Sequence, residues 1–124
     1  MEKRKSNRFN VYFNTDIISG KVVFNGFVGN ISENGLYVRM STADSTIVFH
    51  DFADYGLRLR LPDKELLNLS CSLKWSSEIL LRNTDCGSAY RMGFEILGPV
   101  QEYSAFHDNM LMESFNERLK QYLQ

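Results

Sequence analysis

Two cysteines, Cys71 and Cys86, are all the thiol this 124-residue chain carries, and neither has a metal-type pairing around it. A disulfide framework and a thiolate metal centre are therefore excluded as organising principles, and both thiols are expected to be free in a reducing, cytoplasmic compartment. No apolar run follows the basic start, so there is no signal peptide, and no stretch approaches the roughly 18 apolar residues of a membrane span. The net charge is only −1, which removes a long polyanion as the default partner. A P-loop, a dinucleotide fingerprint, internal repeats and low-complexity segments are all missing. The length fits one domain with a real core, and a composition of 44% hydrophobic and 23% charged residues is that of an ordinary globular protein. The charge is unevenly spread. Lys3, Arg4, Lys5 and Arg8 crowd the first eight residues against Glu2 alone, so a basic arm precedes a mildly acidic body.

Short β-prone runs alternate with turn residues. Val11 to Phe13 is followed by Ile17-Ile18, a break at Gly20, then Lys21 to Phe24. Asn25-Gly26 reads as either a turn or a bulge before Phe27-Val28, and Asn34-Gly35 as a reversal. Gly35 to Met40 alternates as a strand. Residues 41–54 are polar and acidic and read as an excursion at the barrel rim. Gly56 to Leu61 places three leucines on one side and two arginines on the other until Pro62 stops it. In the run to Trp75, Leu67, Leu69, Cys71, Leu73 and Trp75 share one face. Asn83 to Ser88 is turn-rich, and Tyr90 to Ile96 is the last strand before Gly98-Pro99. Beyond Pro99 the period lengthens. Tyr103, Phe106, Met110, Phe115, Leu119 and Tyr122 recur at steps of three, four or five, giving an amphipathic helix of about five turns. The expectation is an all-β domain: a small six-stranded antiparallel barrel (11–98) preceded by a flexible arm (1–10). Its C-terminal helix (99–124) would cover an opening or a sheet edge.

Two motifs carry chemistry. Arg4 and Arg8 are fork-shaped cations on the arm with three residues between them, suited to bidentate donation to a phosphodiester and to stacking on a purine. Asn30-Ile31-Ser32-Glu33-Asn34-Gly35 adds an amide that can donate to and accept from a base edge, a hydroxyl, and a glycine that permits close approach or positive φ. Separately, a basic N-terminus or a Ser-to-Gly turn is commonplace. In this order, within an all-β chain ending in a helix, they point to one small ligand bearing phosphates and guanines.

The arrangement Arg-x-x-x-Arg (Arg4, Arg8), Asn-x-Ser-x-x-Gly (Asn30, Ser32, Gly35) and a late Gly93-Phe94-Glu95-Ile96 strand resembles a PilZ domain over essentially the whole chain. PilZ domains are bacterial receptors for the second messenger cyclic di-GMP. The resemblance implies a six-stranded barrel with a C-terminal helix. In it the arginines clasp guanine and phosphate, and Asn30, Ser32 and Gly35 line the other side of the ligand. Both motifs are intact, which sets the chain apart from the branch that no longer binds nucleotide. With Arg4 so near the start and nothing beyond the helix, the chain reads as a stand-alone receptor that signals by contacting another protein, as monomer or homodimer. The resemblance also gives Lys3, just before the first arginine, a role in admitting a second ligand molecule, against a solvated lysine. Trp75 is either a guanine-stacking residue or a core residue. Arg91 is a surface residue.

His50-Asp51 has no nucleophile placed near it and is not a general base; no catalytic or metal-binding group is expected, and no cofactor. Cys71 reads as a packed thiol, Cys86 as a loop cysteine that is open to solvent. Two other classes stay open: a protein–protein adaptor with the same barrel and no nucleotide, and a small nucleic-acid-binding barrel using the basic arm.

Overall fold

Alternation of apolar and polar residues is carried through into six antiparallel strands, described in a computed structural model over residues 8–42, 48–79 and 88–123. They are β1 (Phe9–Ser19), β2 (Val22–Ile31), β3 (Gly35–Thr42), β4 (Asp54–Arg60), β5 (Leu66–Ile79) and β6 (Ser88–Gly98), followed by one helix, α1 (Val100–Leu123). The strands close into a barrel in the order β1-β2-β3-β6-β5-β4. The β1–β4 pairing that closes it leaves α1 no sheet edge to cover, so the helix covers an opening.

The strands are longer than the runs that announced them. The three segments read between Val11 and Phe24 are two strands joined by a two-residue loop, Gly20-Lys21, with Ser19 opposite Val22. Gly20 has φ 60° there, as the first position of such a hairpin favours. Asn25-Gly26 is neither turn nor bulge; both lie in regular register with β1. Gly26 is needed for closeness, because a Cβ on it would stand 2.6 Å from the Arg39 carbonyl oxygen. β1 begins at Phe9, two residues before the expected boundary between arm and barrel.

Ile17, Val28, Val38, Leu57, Leu59, Leu73 and Met92 fill the interior. One end is closed by Phe49, whose ring packs among Phe24, Tyr55 and Tyr90 at 5.3, 6.0 and 5.2 Å. The other is closed by α1, which buries Tyr103 and Phe106; Phe106 meets Phe13 edge-on at 5.8 Å. On the wall between β1 and β4, the buried Asp16 carboxylate accepts from Arg60 at 2.8 Å and lies 3.5 Å from Arg58. These two outward arginines of β4 are thereby engaged.

The helix departs from its expected single stripe. Tyr103, Phe106 and Met110 face the barrel, but Phe115, Leu119 and Tyr122 are exposed, as are Leu111, Met112 and Leu123. The cause is the five-residue step from Met110 to Phe115, which advances about 140° around a helix of 3.6 residues per turn. The apolar stripe changes sides there, and Glu113, Glu117 and Gln121 continue the barrel-facing line.

A candidate ligand site across five strands

Strand register assembles the site. Arg8, exposed, stands immediately before β1, and the first residues of β1 pair with the end of β2: Phe9 with Ile31 and Asn10 with Asn30. The chain therefore leaves the barrel at Arg8 beside the Ser32 turn. The same row continues from Asn30 to Tyr37 on β3, from Tyr37 to Gly93 on β6, and from Gly93 to Trp75 on β5. At strand spacings of about 4.8 Å, it runs about 19 Å from Asn10 to Trp75.

The turn at its centre is held from three sides. The Ser32 backbone N–H donates to the Gly35 carbonyl at 2.9 Å, and the Ile96 N–H donates to the Asn34 carbonyl at 2.9 Å. The Tyr103 hydroxyl, from α1, lies 2.7 Å from the Ser32 carbonyl oxygen and 3.0 Å from that of Gly35. Ser32 is 7% exposed, with its Oγ 3.5 Å from the Gly35 oxygen. Gly35 does not use positive φ, which among the described glycines belongs to Gly20 alone. Its Cβ would lie 2.6 Å from the Phe94 carbonyl oxygen, so close approach of β3 to β6 requires it. Asn30 Oδ1 is buried and has no hydrogen-bond partner among the described residues, an acceptor that costs stability until a donor arrives.

Trp75 does not share the inward face of Leu73. The register shifts between Leu73, opposite Phe94, and Trp75, opposite Gly93. This bulge adds Lys74 to β5 and turns the indole outward. Trp75 is 41% exposed while Leu73 is fully buried. The indole lies over Gly93 so closely that no Cβ fits there, and the Tyr37 ring covers Gly29 on β2 in the same manner, 3.1 Å from where a Cβ would stand. The two rings are tilted 30° with centroids 6.1 Å apart, and Arg39 Nε donates to the Tyr37 hydroxyl at 2.9 Å. Arg39 and Arg91 are both exposed and directly opposite each other on β3 and β6. Opposed like charges repel, so an anion settling between them would relieve the repulsion.

Of the residues expected at the site, Arg8, Asn30, Ser32 and Gly35 are brought together, and Trp75 stands at the far end of their row. Lys3 and Arg4 lie outside the described residues, as does Cys86. Tyr37 and Arg39 are not singled out by the sequence, and Gly93 enters there only within the late-strand motif; the signal available is a glycine inside a strand, Gly29 in β2 and Gly93 in β6, which marks a bulge or a close approach. Cys71 is fully buried, and burial pushes its thiol up to about 12. His50 and Asp51 are exposed. Among the described residues no group of His, Cys, Asp or Glu is arranged to hold a metal ion, and no helix is long and apolar enough to cross a membrane.

No family model matches the chain, and no curated protein matches it in sequence. Solved structures do. The PilZ domain of YcgR from Escherichia coli, solved with c-di-GMP, superposes with a TM-score of 0.71 at 12% identity, covering 96% of this chain and 98% of that one. The chain has the PilZ fold. The K. pneumonia MrkH–c-di-GMP complex aligns over 98% of this chain with a TM-score of 0.74 at 16% identity. PlzA from Borreliella burgdorferi, in complex with c-di-GMP, aligns over 88% with a TM-score of 0.59 at 13% identity. This chain spans 56% of the MrkH chain and 53% of the PlzA chain. Within the PilZ fold, the Ser32 turn and the strand leading out of Arg8 meet at the barrel end that α1 closes.

Proposed function

We propose that this chain is a cytoplasmic receptor for cyclic di-GMP, without catalytic activity. The observation that carries the reading is the meeting of Arg8 with the Ser32 turn, beside an Asn30 oxygen that is buried and unpartnered. In this reading Arg4 and Arg8 clasp phosphate and guanine, Asn30 pairs with a base edge, and Ser32 and Gly35 form the floor. Trp75, with Tyr37 beside it, offers a stacking surface further along the row. Lys3 adds charge where a second ligand molecule would sit. The PilZ neighbours solved with c-di-GMP support the ligand class.

Magnitudes are consistent with it. Charge-assisted hydrogen bonds contribute roughly 1.5–3 kcal/mol each, and micromolar affinity needs about 8 kcal/mol. Two arginines and two or three turn contacts reach that level after the arm is ordered. Because the ligand contacts both arm and turn, it favours the closed arrangement through its differential contacts. The altered surface is then read by a partner protein.

Isothermal titration calorimetry with cyclic di-GMP, and with GTP and GMP as controls, tests the proposal. Saturable micromolar binding absent from the controls is expected, at one or two ligands per chain. A flat titration of folded protein removes the receptor reading and leaves an adaptor that does not use nucleotide.

A further inference from the structure

Beyond Met110 the barrel-facing line of α1 is no longer apolar; Glu113 and Glu117 take it over. They roof a groove whose other wall is the start of β1, Phe9 to Phe13. Through Pro62, Met110 and Glu113 this groove joins a second one of about 450 Å³, between α1 and the β4–β5 hairpin. The second groove has an apolar floor that includes Leu67 and Phe106. Its rim is Asp63, Glu65, Glu102 and Glu113, with no cation among the described residues that line it. The first groove adds Glu117 and one cation, Arg118. Neither Glu113 nor Glu117 has an ion-pair partner among the described residues. Like charges four residues apart on one helix face are destabilising, so a cation settling between these two would relieve the repulsion.

We propose that the segment Lys3-Arg4-Lys5 docks on these carboxylates when no ligand is bound, so that the arm has two alternative positions. Reach and charge both single out this segment. Arg8 is the first described residue, and the ring of the next one, Phe9, packs against His107 of α1 at 5.5 Å. From His107, Glu113 and Glu117 lie about 9 and 15 Å further along the helix axis. Lys5 and Lys3, three and five residues before Arg8, reach up to about 10 and 17 Å from it. The segment carries three positive charges with Glu2 alone beside it, opposite in sign to the carboxylates of the two grooves. A tethered segment also acts at an effective concentration in the millimolar range, ahead of a free basic peptide. The second position rests on the receptor reading: cyclic di-GMP draws Arg4 to the Ser32 turn and must first detach the arm from the carboxylates. Its apparent affinity is then the intrinsic one reduced by the fraction of protein whose arm is free.

Two measurements on the full chain test this. A nitroxide on Ser6→Cys, in a Cys86→Ser background that leaves only the buried Cys71, reads the position of the arm through broadening of amide resonances. Without ligand, broadening across residues 113–117 should fall about twofold or more in Glu113→Gln/Glu117→Gln, and also in the parent at about 0.5 M salt. Both glutamates are exposed, so the thermal midpoint of the double variant should match the parent. Titration calorimetry then reads the competition. The double variant should bind cyclic di-GMP about three- to tenfold more tightly than the parent, although neither residue belongs to the ligand site. Equal broadening in parent and double variant assigns the grooves to another occupant and overturns the proposal. A broadening difference with unchanged affinity overturns the competition between the two positions. A flat titration in both proteins removes the receptor reading, while a broadening difference measured without ligand still supports the docked arm.

Discussion

The Tyr103 hydroxyl of α1 lies 2.7 Å from the carbonyl oxygen of Ser32, tying the helix to the centre of the proposed ligand turn. The ring itself is 2% exposed. Tyr103→Phe keeps the packing and removes only this tether, taking the donor from the Ser32 carbonyl while that of Gly35 keeps the Ser32 N–H. A loss of about 1–3 kcal/mol is expected, a fall of roughly 5–10 °C in the thermal midpoint for a domain of this size. If the turn is the ligand floor, cyclic di-GMP affinity also falls. Ser104→Ala, at an exposed neighbouring position, should change neither. Scanning calorimetry and titration calorimetry on both variants separate the effects.

Arg8→Ala and Arg4→Ala are expected to weaken cyclic di-GMP binding by about ten- to 100-fold each, the equivalent of one lost charge-assisted hydrogen bond. Arg8 is exposed, so the thermal midpoint of its variant without ligand should match the parent within about 1 °C. Parent-like affinity in both variants would remove the arm from the mechanism.

Gly93→Ala puts a methyl group where the Trp75 indole lies. The indole must move, and overpacking of this kind costs roughly 1–3 kcal/mol. Trp75 is the sole tryptophan, so the displacement should be read directly as a shift in intrinsic fluorescence. An unchanged emission spectrum would mean that the ring does not rest on Gly93.

Alkaline pH should destabilise the barrel through two buried acids. Burial raises the Cys71 thiol from 9.0 to about 12. It raises Tyr103 as well, chiefly through desolvation, with a further contribution from the Cys71 charge. Both groups hold their proton more tightly when folded, so their contribution is complete below pH 9. It declines as the unfolded thiol and then the unfolded phenol ionise, and is lost on passing the folded values. Stability measured by urea denaturation should be flat in this respect from pH 7 to 9 and fall above it, and Cys71→Val should delay the onset by about one pH unit. In a Cys86→Ser background, Cys71 should resist a thiol reagent until the protein is denatured.

Alternation and turn chemistry made most of the barrel legible: Leu57, Leu59, Leu69, Cys71 and Leu73 are inward as their parity demands. Trp75 was not legible by the same rule, because parity persists only until a residue is inserted, and nothing in the residues around Lys74 announces the insertion. In the helix, the five-residue step from Met110 to Phe115 passes for a continuation of one stripe, yet its rotation starts another. For Gly35 the sequence leaves close approach and positive φ both open, and the structure uses the first, against a carbonyl whose strand lies about 60 residues away and so has no local signature. The Arg8–Ser32 meeting was legible as a pair of motifs, but Tyr37 and Arg91 join it only through the β3–β6 register.

Both Asn30 and Trp75 come directly after a register shift, one in β2 and the other in β5. Their outward placement is thus a matter of counting more than of side-chain type. Removing Lys74 would restore an even ladder with the indole still outward opposite Gly93, whereas drawing Lys74 into regular pairing would turn the indole toward the core. The surface therefore exists only while the two extra residues, Gly29 and Lys74, stay bulged out of the ladder, and a change that draws either into regular pairing erases it without touching a side chain of the surface.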